Sequence, residues 1–133
     1  MWLLKTEPSA YSYDDLEREG ETVWDGVTNP VALRNLAAMK AADRAFVYHT
    51  GTTRAAVGIA RVRRAAYPDP RQHNPRRLVV DLAAERRLGR PVGLDEIKKL
   101  AVFAGSPLVR QGRLSVVPLT EAQWKAIEEN SRK

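Results

Sequence analysis

The chain has 133 residues, 44% of them hydrophobic and 29% charged, which suits a single globular domain spanning residues 1–133 with one core. The absence of cysteine excludes a disulfide framework and a thiolate metal site, and with two histidines a structural zinc is not expected. The apolar runs are too short to span a membrane, and Met1–Leu4 lacks a signal-peptide pattern. The absence of cysteine fits a cytoplasmic location, which we expect, and we expect no cofactor.

The net charge of +6 is distributed unevenly along the chain. Residues 1–53 carry five basic and eight acidic side chains, residues 54–113 carry fourteen and five, and residues 114–133 carry three of each. Twelve of the sixteen arginines lie in the middle segment. A guanidinium can contact two phosphate oxygens at once, so this excess favours a nucleic-acid partner. A solvated basic surface is the alternative that composition leaves open.

The first part of the chain predicts one strand and two helices. Residues 2–5 are typical of a short buried strand. Ser12 is a predicted N-cap, and Gly20 ends the helix that follows it. A loop or short strand at 23–29 leads to a second helix, Pro30 to Lys40, because proline suits the first helical position. The apolar residues expected on roughly one face of this helix are Val31, Leu33, Leu36 and Met39.

The middle of the chain predicts a β-hairpin. Residues 45–49 have strand composition, and a turn leads to a returning strand from Ala55 to Arg64 with a bulge at Gly58. Residues 67–75 contain three prolines and are predicted to be a loop.

The last part predicts a long strand at 77–88, a short helix at 94–100 and a final strand at 114–119. Thr120 and Gln123 have the spacing of a capping box and predict a terminal helix. Five or six short strands with helices between them indicate an α+β fold, whose sheet we expect to curl into a small barrel.

Two stretches, Thr22–Asn29 and Phe46–Gly51, supply what a pocket for a planar ring requires: a flat apolar wall with donors and acceptors at its edge. Trp24 is the predicted stacking wall, with a core tryptophan as the alternative. Asn29 offers an amide that can read a base edge, although a helix cap is at least as good an interpretation.

Tyr48 and His49 are neighbours on a predicted strand and therefore point to opposite faces. A catalytic His49 would need a nucleophile and an orienting acid. The sequence has no nucleophile elbow, no cysteine and no zinc-protease motif, so a binding or structural histidine is favoured over a catalytic one.

Arginines of the middle segment are candidates for contacts to phosphate. Because side chains alternate along strands, only some of Arg54, Arg61 and Arg63 are expected to share a face, and Arg113 can join them. The chain has no glycine-rich phosphate loop, so nucleotide hydrolysis is not expected.

A series of short motifs runs in order from residue 2 to residue 124. The first are Trp2-Leu3-Leu4-Lys5-x-Glu7-Pro8, Tyr11-Ser12-x-Asp14-Asp15-Leu16 and Val23-Trp24-Asp25-Gly26-Val27-x-Asn29. The later ones are Tyr48-His49-Thr50-Gly51, Gly58-Ile59-Ala60, Tyr67-Pro68-Asp69-Pro70 and Arg113-Leu114-Ser115-Val116-x-Pro118. As a set they resemble the EVE domain family.

The resemblance implies a PUA-like fold, a small mixed β-barrel with flanking helices that is related to the YTH and SRA readers of modified bases. It also implies a non-enzymatic module that holds a flipped-out modified base of DNA or RNA, such as methylated or hydroxymethylated cytosine or methylated adenine, in an aromatic-walled pocket. We expect this module to be a monomer. By motif position, the pocket residues are Trp24, Asn29, Tyr48, His49, Thr50 and Ser115, with Lys5 and Glu7 near the floor.

The chain departs from the family pattern after the glycine turn. Thr28 stands where many members have arginine, and Pro30 stands where they have tyrosine. Phosphate contact at this corner would then fall to Arg34, or to the amide of Asn35. The alternatives to a reader of modified DNA are a binder of modified tRNA or rRNA, a small-molecule sensor, and an enzyme acting on a nucleobase through His49.

Overall fold

The computed structural model describes residues 1–133 and has a six-stranded mixed sheet at its centre. The strands are β1 (Trp2–Thr6), β2 (Glu21–Trp24), β3 (Arg44–His49), β4 (Ala55–Pro68), β5 (Leu78–Gly93) and β6 (Val116–Pro118). The α-helices are α1 (Tyr13–Glu19), α2 (Pro30–Ala38), α3 (Leu94–Lys98), α4 (Pro107–Arg110) and α5 (Glu121–Asn130), with a 3-10 turn at Ala101–Phe103. No helix is long and apolar enough to cross a membrane.

The strands are ordered β2-β5-β4-β3-β1-β6 in the sheet. β1 and β3 are parallel, and all other neighbouring strands are antiparallel. Thr6 and His49 are paired in register, so β1 and β3 end at the same edge. β2 and β6 are not hydrogen-bonded to each other, and the sheet is open along the seam between them. The expected α+β class, strand number and flanking helices are confirmed.

Side chains of the central strands form much of the hydrophobic core, and helices pack over them. Leu3 and Leu4 of β1 and Phe46 of β3 are fully buried. The Phe46 ring stacks on Trp124 of α5, with 3.8 Å between the ring centroids and 20° between the planes. Ile127, one turn further along α5, is also fully buried. This amphipathic helix therefore holds the sheet from one side.

The predicted helix boundaries at both ends of the chain are confirmed. Ser12 and Asp15 form a capping box at the start of α1, and Gly20 ends that helix at a φ of 80°. A residue with a side chain rarely adopts this backbone conformation, which glycine accepts readily. Thr120 and Gln123 form the second capping box, at the start of α5.

The second helix differs from the prediction in length and in its buried face. It ends at Ala38 instead of Lys40, because Met39 has an extended backbone. Met39 is buried as expected, whereas Val31 is 38% exposed and Ala32 faces the core in its place. The helix contacts the core through Ala32 and Leu36, one turn apart, and this spacing excludes Val31 from the buried face.

The hairpin of β4 and β5 is longer than the sequence predicted. Tyr67 and Pro68 belong to β4 and pair with β5, so the proline-rich loop begins only at Asp69. β5 continues to Gly93 because Ala55 and Ala56 of β4 pair with its last residues. Long-range pairing has overridden the local turn signals here, and several register shifts accommodate it. The bulge expected at Gly58 is found directly beside it: Gly58 pairs with Val47 and Ala56 with Tyr48, which leaves Val57 as the extra residue.

We predict that Gly58→Ala destabilises the fold. A Cβ at Gly58 would lie 2.4 Å from the Tyr13 ring, whose hydroxyl donates a 2.7 Å hydrogen bond to the Ile59 carbonyl. The ring cannot move away without losing this bond, so overpacking is expected to cost about 1–3 kcal/mol. Urea denaturation measures the loss. Gly112→Ala is the control, because a Cβ there meets no atom within 4 Å. Equal stability of the two variants would contradict the prediction.

Candidate functional site

A cavity of about 640 Å³ lies at the open seam of the sheet, and we call it the seam cavity. Lys5 and Thr6 at the end of β1 and Ser115 before β6 form one side, and Thr22 to Trp24 of β2 form the other. The remaining lining residues are Ala10, Tyr11, Glu19, Asp25, Gly26, Val27 and Arg71. The cavity therefore occupies the position where a closed barrel would have paired its two edge strands.

Two aromatic rings form one corner of the seam cavity. Trp24 is 7% exposed, and the Tyr11 ring stands edge-on to it at 88° with 6.1 Å between the centroids. The Tyr11 hydroxyl donates a hydrogen bond to the Glu19 carboxylate. Burial, together with this bond, raises the pKa of Tyr11 to about 12, so the phenol is neutral at physiological pH. Trp24 is part of the hydrophobic core and exposes only a small part of its ring, so the corner offers a limited apolar surface beside an uncharged phenol.

An arginine fastens the rim of the seam cavity. Arg71 contacts Asp25 at 2.6 Å and Asp69 at 3.2 Å, and it thereby joins the loop after β2 to the loop between β4 and β5. The hydrogen bond from the Arg71 side chain lowers the pKa of Asp69, which is 2% exposed. Neither Tyr11 nor Arg71 was among the site residues predicted from the sequence. Tyr11 belongs to one of the family motifs, whereas no local sequence pattern marks Arg71.

A second cavity, of about 250 Å³, lies beside the first, and we call it the cationic cavity. Its basic side chains are Lys5, Arg54 and Lys98, and Lys5 also lines the seam cavity. Tyr48 and Thr50 contribute hydroxyls. The other lining residues are Gly51, Leu94, Leu108, Val109 and Gly112.

Lys5 is held between the two cavities. Its Nζ donates a 3.0 Å hydrogen bond to the Gly112 carbonyl and lies 5.7 Å from the centroid of the Tyr48 ring. Burial lowers the pKa of Lys5. Burial also raises the pKa of Tyr48, so its phenol remains a hydrogen-bond donor at neutral pH.

The structure divides the eight predicted pocket residues among three places. Lys5, Trp24 and Ser115 line the seam cavity, and Tyr48, Thr50 and again Lys5 line the cationic cavity. Glu7, Asn29 and His49 line neither. Contact of any of them with a base remains a prediction.

The three residues outside the cavities have local structural contacts. His49 Nε2 accepts a 3.0 Å hydrogen bond from the Tyr13 N–H, and burial lowers the pKa of the imidazole. Asn29 Oδ1 caps α2 by accepting from two backbone N–H groups, which confirms its expected capping role. Glu7 accepts hydrogen bonds from Ser9 and a long one, 3.4 Å, from Thr50, and so braces the turn after β3.

The predicted phosphate contacts also separate into two groups. Arg61 pairs with Glu85 at 3.1 Å and Arg63 with Glu21 at 3.5 Å. In contrast, no ion pair involves the other three predicted arginines, Arg34, Arg54 and Arg113. Of the five, Arg54 alone lines one of the two cavities. Ion pairs between neighbouring strands determine which guanidiniums already have a carboxylate partner. These pairs join residues that are far apart in the sequence, so the sequence alone does not reveal them.

No group of three or more histidine, cysteine or carboxylate side chains is arranged to hold a metal ion.

The sequence profile of the EVE domain matches residues 1–130. The chain belongs to the EVE domain family. Its six-stranded α+β architecture is accordingly the PUA-like fold that the motifs implied.

Three relatives of this EVE domain match it over nearly all of its residues. Thymocyte nuclear protein 1 of Rattus norvegicus is 33% identical, and the match covers 95% of this chain and 71% of the rat protein. A Rhodopseudomonas palustris protein solved by NMR is 38% identical with a TM-score of 0.92, covering 98% of this chain and 92% of that one. The human thymocyte protein, solved in complex with DNA containing 5-methylcytosine, is 29% identical with a TM-score of 0.84, covering 99% of this chain and 97% of that one.

We predict that His49 makes the fold of this EVE domain sensitive to mild acid. Its pKa is lower in the folded state than in the unfolded chain, and protonation of Nε2 would remove the acceptor of the Tyr13 N–H. Stability is therefore complete above the unfolded pKa of about 6.5 and falls as the pH drops below it. The carboxylates with lowered pKa lose their contributions only at more acidic pH, below about 4.5. Urea denaturation at about pH 7.5 and about pH 5.5 measures the effect.

The matched variants are His49→Gln and His73→Gln. His49→Gln is expected to reduce the stability difference between the two pH values, whereas His73→Gln, in an exposed loop, leaves it unchanged. An unchanged difference in His49→Gln would contradict the prediction.

We also predict that Asn29→Ala lowers the free energy of unfolding by about 1 kcal/mol, because it removes the cap of α2. Asn29→Ser retains a capping oxygen and should preserve stability. Thermal or urea denaturation compares the variants. A loss of nucleic-acid affinity in Asn29→Ser at unchanged stability would instead assign Asn29 to base contact.

Proposed function

We propose that this EVE domain is a non-enzymatic module that binds DNA carrying a modified base, and that the base enters the seam cavity. The observation that carries the proposal is the cavity itself, where an aromatic corner, Trp24 and Tyr11, faces polar groups of Lys5 and Ser115. Its volume falls within the range of about 300–1,000 Å³ found for small-ligand sites. The DNA complex of the human relative, which contains 5-methylcytosine, supports DNA as the polymer.

The energetics of base extrusion suit a cavity of this kind. Taking a base out of a stack costs a few kcal/mol, and least from a single strand or a damaged pair. Contact with an aromatic side chain returns about 1–3 kcal/mol per base. Hydrogen bonds at the polar side of the cavity and contacts to phosphate then provide the remaining affinity.

Discrimination for the modification is expected to be moderate. A methyl group buries a small apolar area, and one methylene-sized group changes affinity by about 1–3 kcal/mol, or about 10- to 200-fold. Methylated or hydroxymethylated cytosine and methylated adenine are the candidates, and 5-methylcytosine is the first to test because the human relative was solved with DNA containing it.

The contacts of His49 support a binding role over a catalytic one. A general base needs a free lone pair within reach of the substrate proton. The Nε2 lone pair of His49 accepts the Tyr13 N–H, and the imidazole lines neither cavity. An enzyme acting on a nucleobase through this histidine is therefore disfavoured.

We predict that Trp24→Leu weakens binding of a single-stranded DNA oligonucleotide containing one 5-methylcytosine by about tenfold or more, because the stacking contribution is lost. The wild-type protein should prefer this oligonucleotide to its unmodified form, and Trp24→Phe should retain most of the preference. Fluorescence anisotropy measures the dissociation constants, and thermal unfolding verifies that each variant is folded.

Trp2→Leu is the matched control, because Trp2 is a partly buried tryptophan that lines neither cavity. Equal, salt-sensitive binding to modified and plain oligonucleotides that Trp24→Leu does not change would contradict the proposal. The same series with RNA tests the alternative polymer, and tighter binding of modified RNA would transfer the function to RNA. Mass spectrometry of the incubated oligonucleotide should find it chemically unchanged.

A further inference from the structure

We infer that the cationic cavity is a phosphate subsite that receives a backbone phosphate of the strand whose base occupies the seam cavity. This inference rests on the proposed function. Of the five arginines predicted to contact phosphate, only Arg54 lines this cavity, and two lysines join it there.

The charge of the cationic cavity is the first observation. Lys5, Arg54 and Lys98 line it, and its lining contains no carboxylate. None of the three forms an ion pair, whereas Arg61 and Arg63 of β4 are paired with Glu85 and Glu21. Asp95 and the Glu7 carboxylate lie nearby but pair with none of the three. Three cations without an ion-pair partner around a concave surface attract an anion, and lysine and arginine are the usual ligands of phosphate.

The second observation is an available donor in the wall of the cavity. Tyr48 is 3% exposed, and its hydroxyl makes no hydrogen bond within the protein. No buried side-chain oxygen lacks a partner, so this hydroxyl is accessible to a ligand in the cavity. A phenol that lines a cationic cavity is suited to donate to a phosphate oxygen.

The third observation is the backbone of Arg54. Its φ is +42°, in the left-handed region that side-chain-bearing residues seldom adopt. The Leu94 N–H holds this conformation by donating a 2.8 Å hydrogen bond to the Arg54 carbonyl. Strained conformations of this kind cluster at ligand sites. In this chain the residue with the strained backbone, Arg54, also lines the cationic cavity.

The position of Lys5 connects the two cavities. It is the penultimate residue of β1 and lines both. A nucleotide places its phosphate one sugar away from its base, so adjacent subsites suit its two ends. Because the phosphate carries no sequence information, this subsite should contribute affinity and register, while the seam cavity contributes the preference for the modification.

The test compares Lys98→Ala with Lys99→Ala, two neighbouring exposed lysines of which only Lys98 lines the cavity. Lys98→Ala should weaken binding of the modified and plain oligonucleotides equally, by about tenfold, and should reduce the slope of log Kd against log salt by about 0.7. Lys99→Ala should change both much less. Equal effects of the two substitutions would overturn the subsite.

Arg54→Gly provides a second test in which a loss of affinity cannot be caused by a loss of stability. Glycine accepts a positive φ, so this variant should be at least as stable as the wild type while losing affinity for both oligonucleotides. Ala42→Gly, at the other non-glycine residue with positive φ, should leave affinity unchanged. Unchanged affinity in Arg54→Gly would count against the inference.

A neutral methylphosphonate linkage next to the modified base identifies the phosphate. Its effect and that of Lys98→Ala should not add, since both remove the same contact. Full additivity would overturn the assignment to this linkage.

NMR titration with inorganic phosphate tests whether the cavity binds a free phosphate group instead of a backbone phosphate. Saturable chemical-shift changes at the cavity, together with no effect of the methylphosphonate on oligonucleotide binding, would assign the cavity to free phosphate and overturn the backbone assignment. The preference for the modified base is measured separately, as the ratio of the dissociation constants for the modified and plain oligonucleotides. Absence of this preference would refute the proposed function, whereas the comparisons above would still show whether the cationic cavity binds phosphate.

Discussion

The placement of β1 between β3 and β6 is the constraint on which the rest of the site depends. Its parallel pairing with β3 brings the ends of both strands to one edge, and its antiparallel pairing with β6 makes β6 and β2 the two edges of the sheet. The seam cavity opens between those edges, beside the last residues of β1. Lys5 lines both cavities for this reason, and Tyr48, its register partner on β3, reaches the cationic cavity.

The distribution of ion pairs decides what the basic charge of the chain can do. Glu85 pairs with both Arg44 and Arg61, and Asp14 and Glu17 both contact Arg87. Exposed pairs of this kind contribute little to stability, about 0–1 kcal/mol each, but they neutralise the field of the arginines they contain. The uncompensated charge therefore lies elsewhere, and part of it surrounds the cationic cavity.

Local signals predicted the features that depend on a few consecutive residues. Side-chain chemistry or backbone freedom within one turn explains the capping boxes at Ser12 and Thr120, the glycine stop at Gly20 and the bulge beside Gly58. The boundaries of β4 and β5 could not be predicted in this way, because pairing across the hairpin extends both strands through prolines and glycines. For Asn29, the cap that a local pattern predicted is what the structure shows.

The sequence by itself determined the α+β class, the family and the nature of the candidate groups: a tryptophan beside a glycine turn, a tyrosine–histidine pair at a strand end and an arginine-rich segment. Only the tertiary structure decided which of them meet. It joined Trp24 with Tyr11 across the seam and committed His49 to a backbone N–H. It also placed Arg54 beside Lys98. The physical reason is that composition and short spacing record what a residue can do, whereas strand order, register and ion pairing between distant segments determine what it contacts.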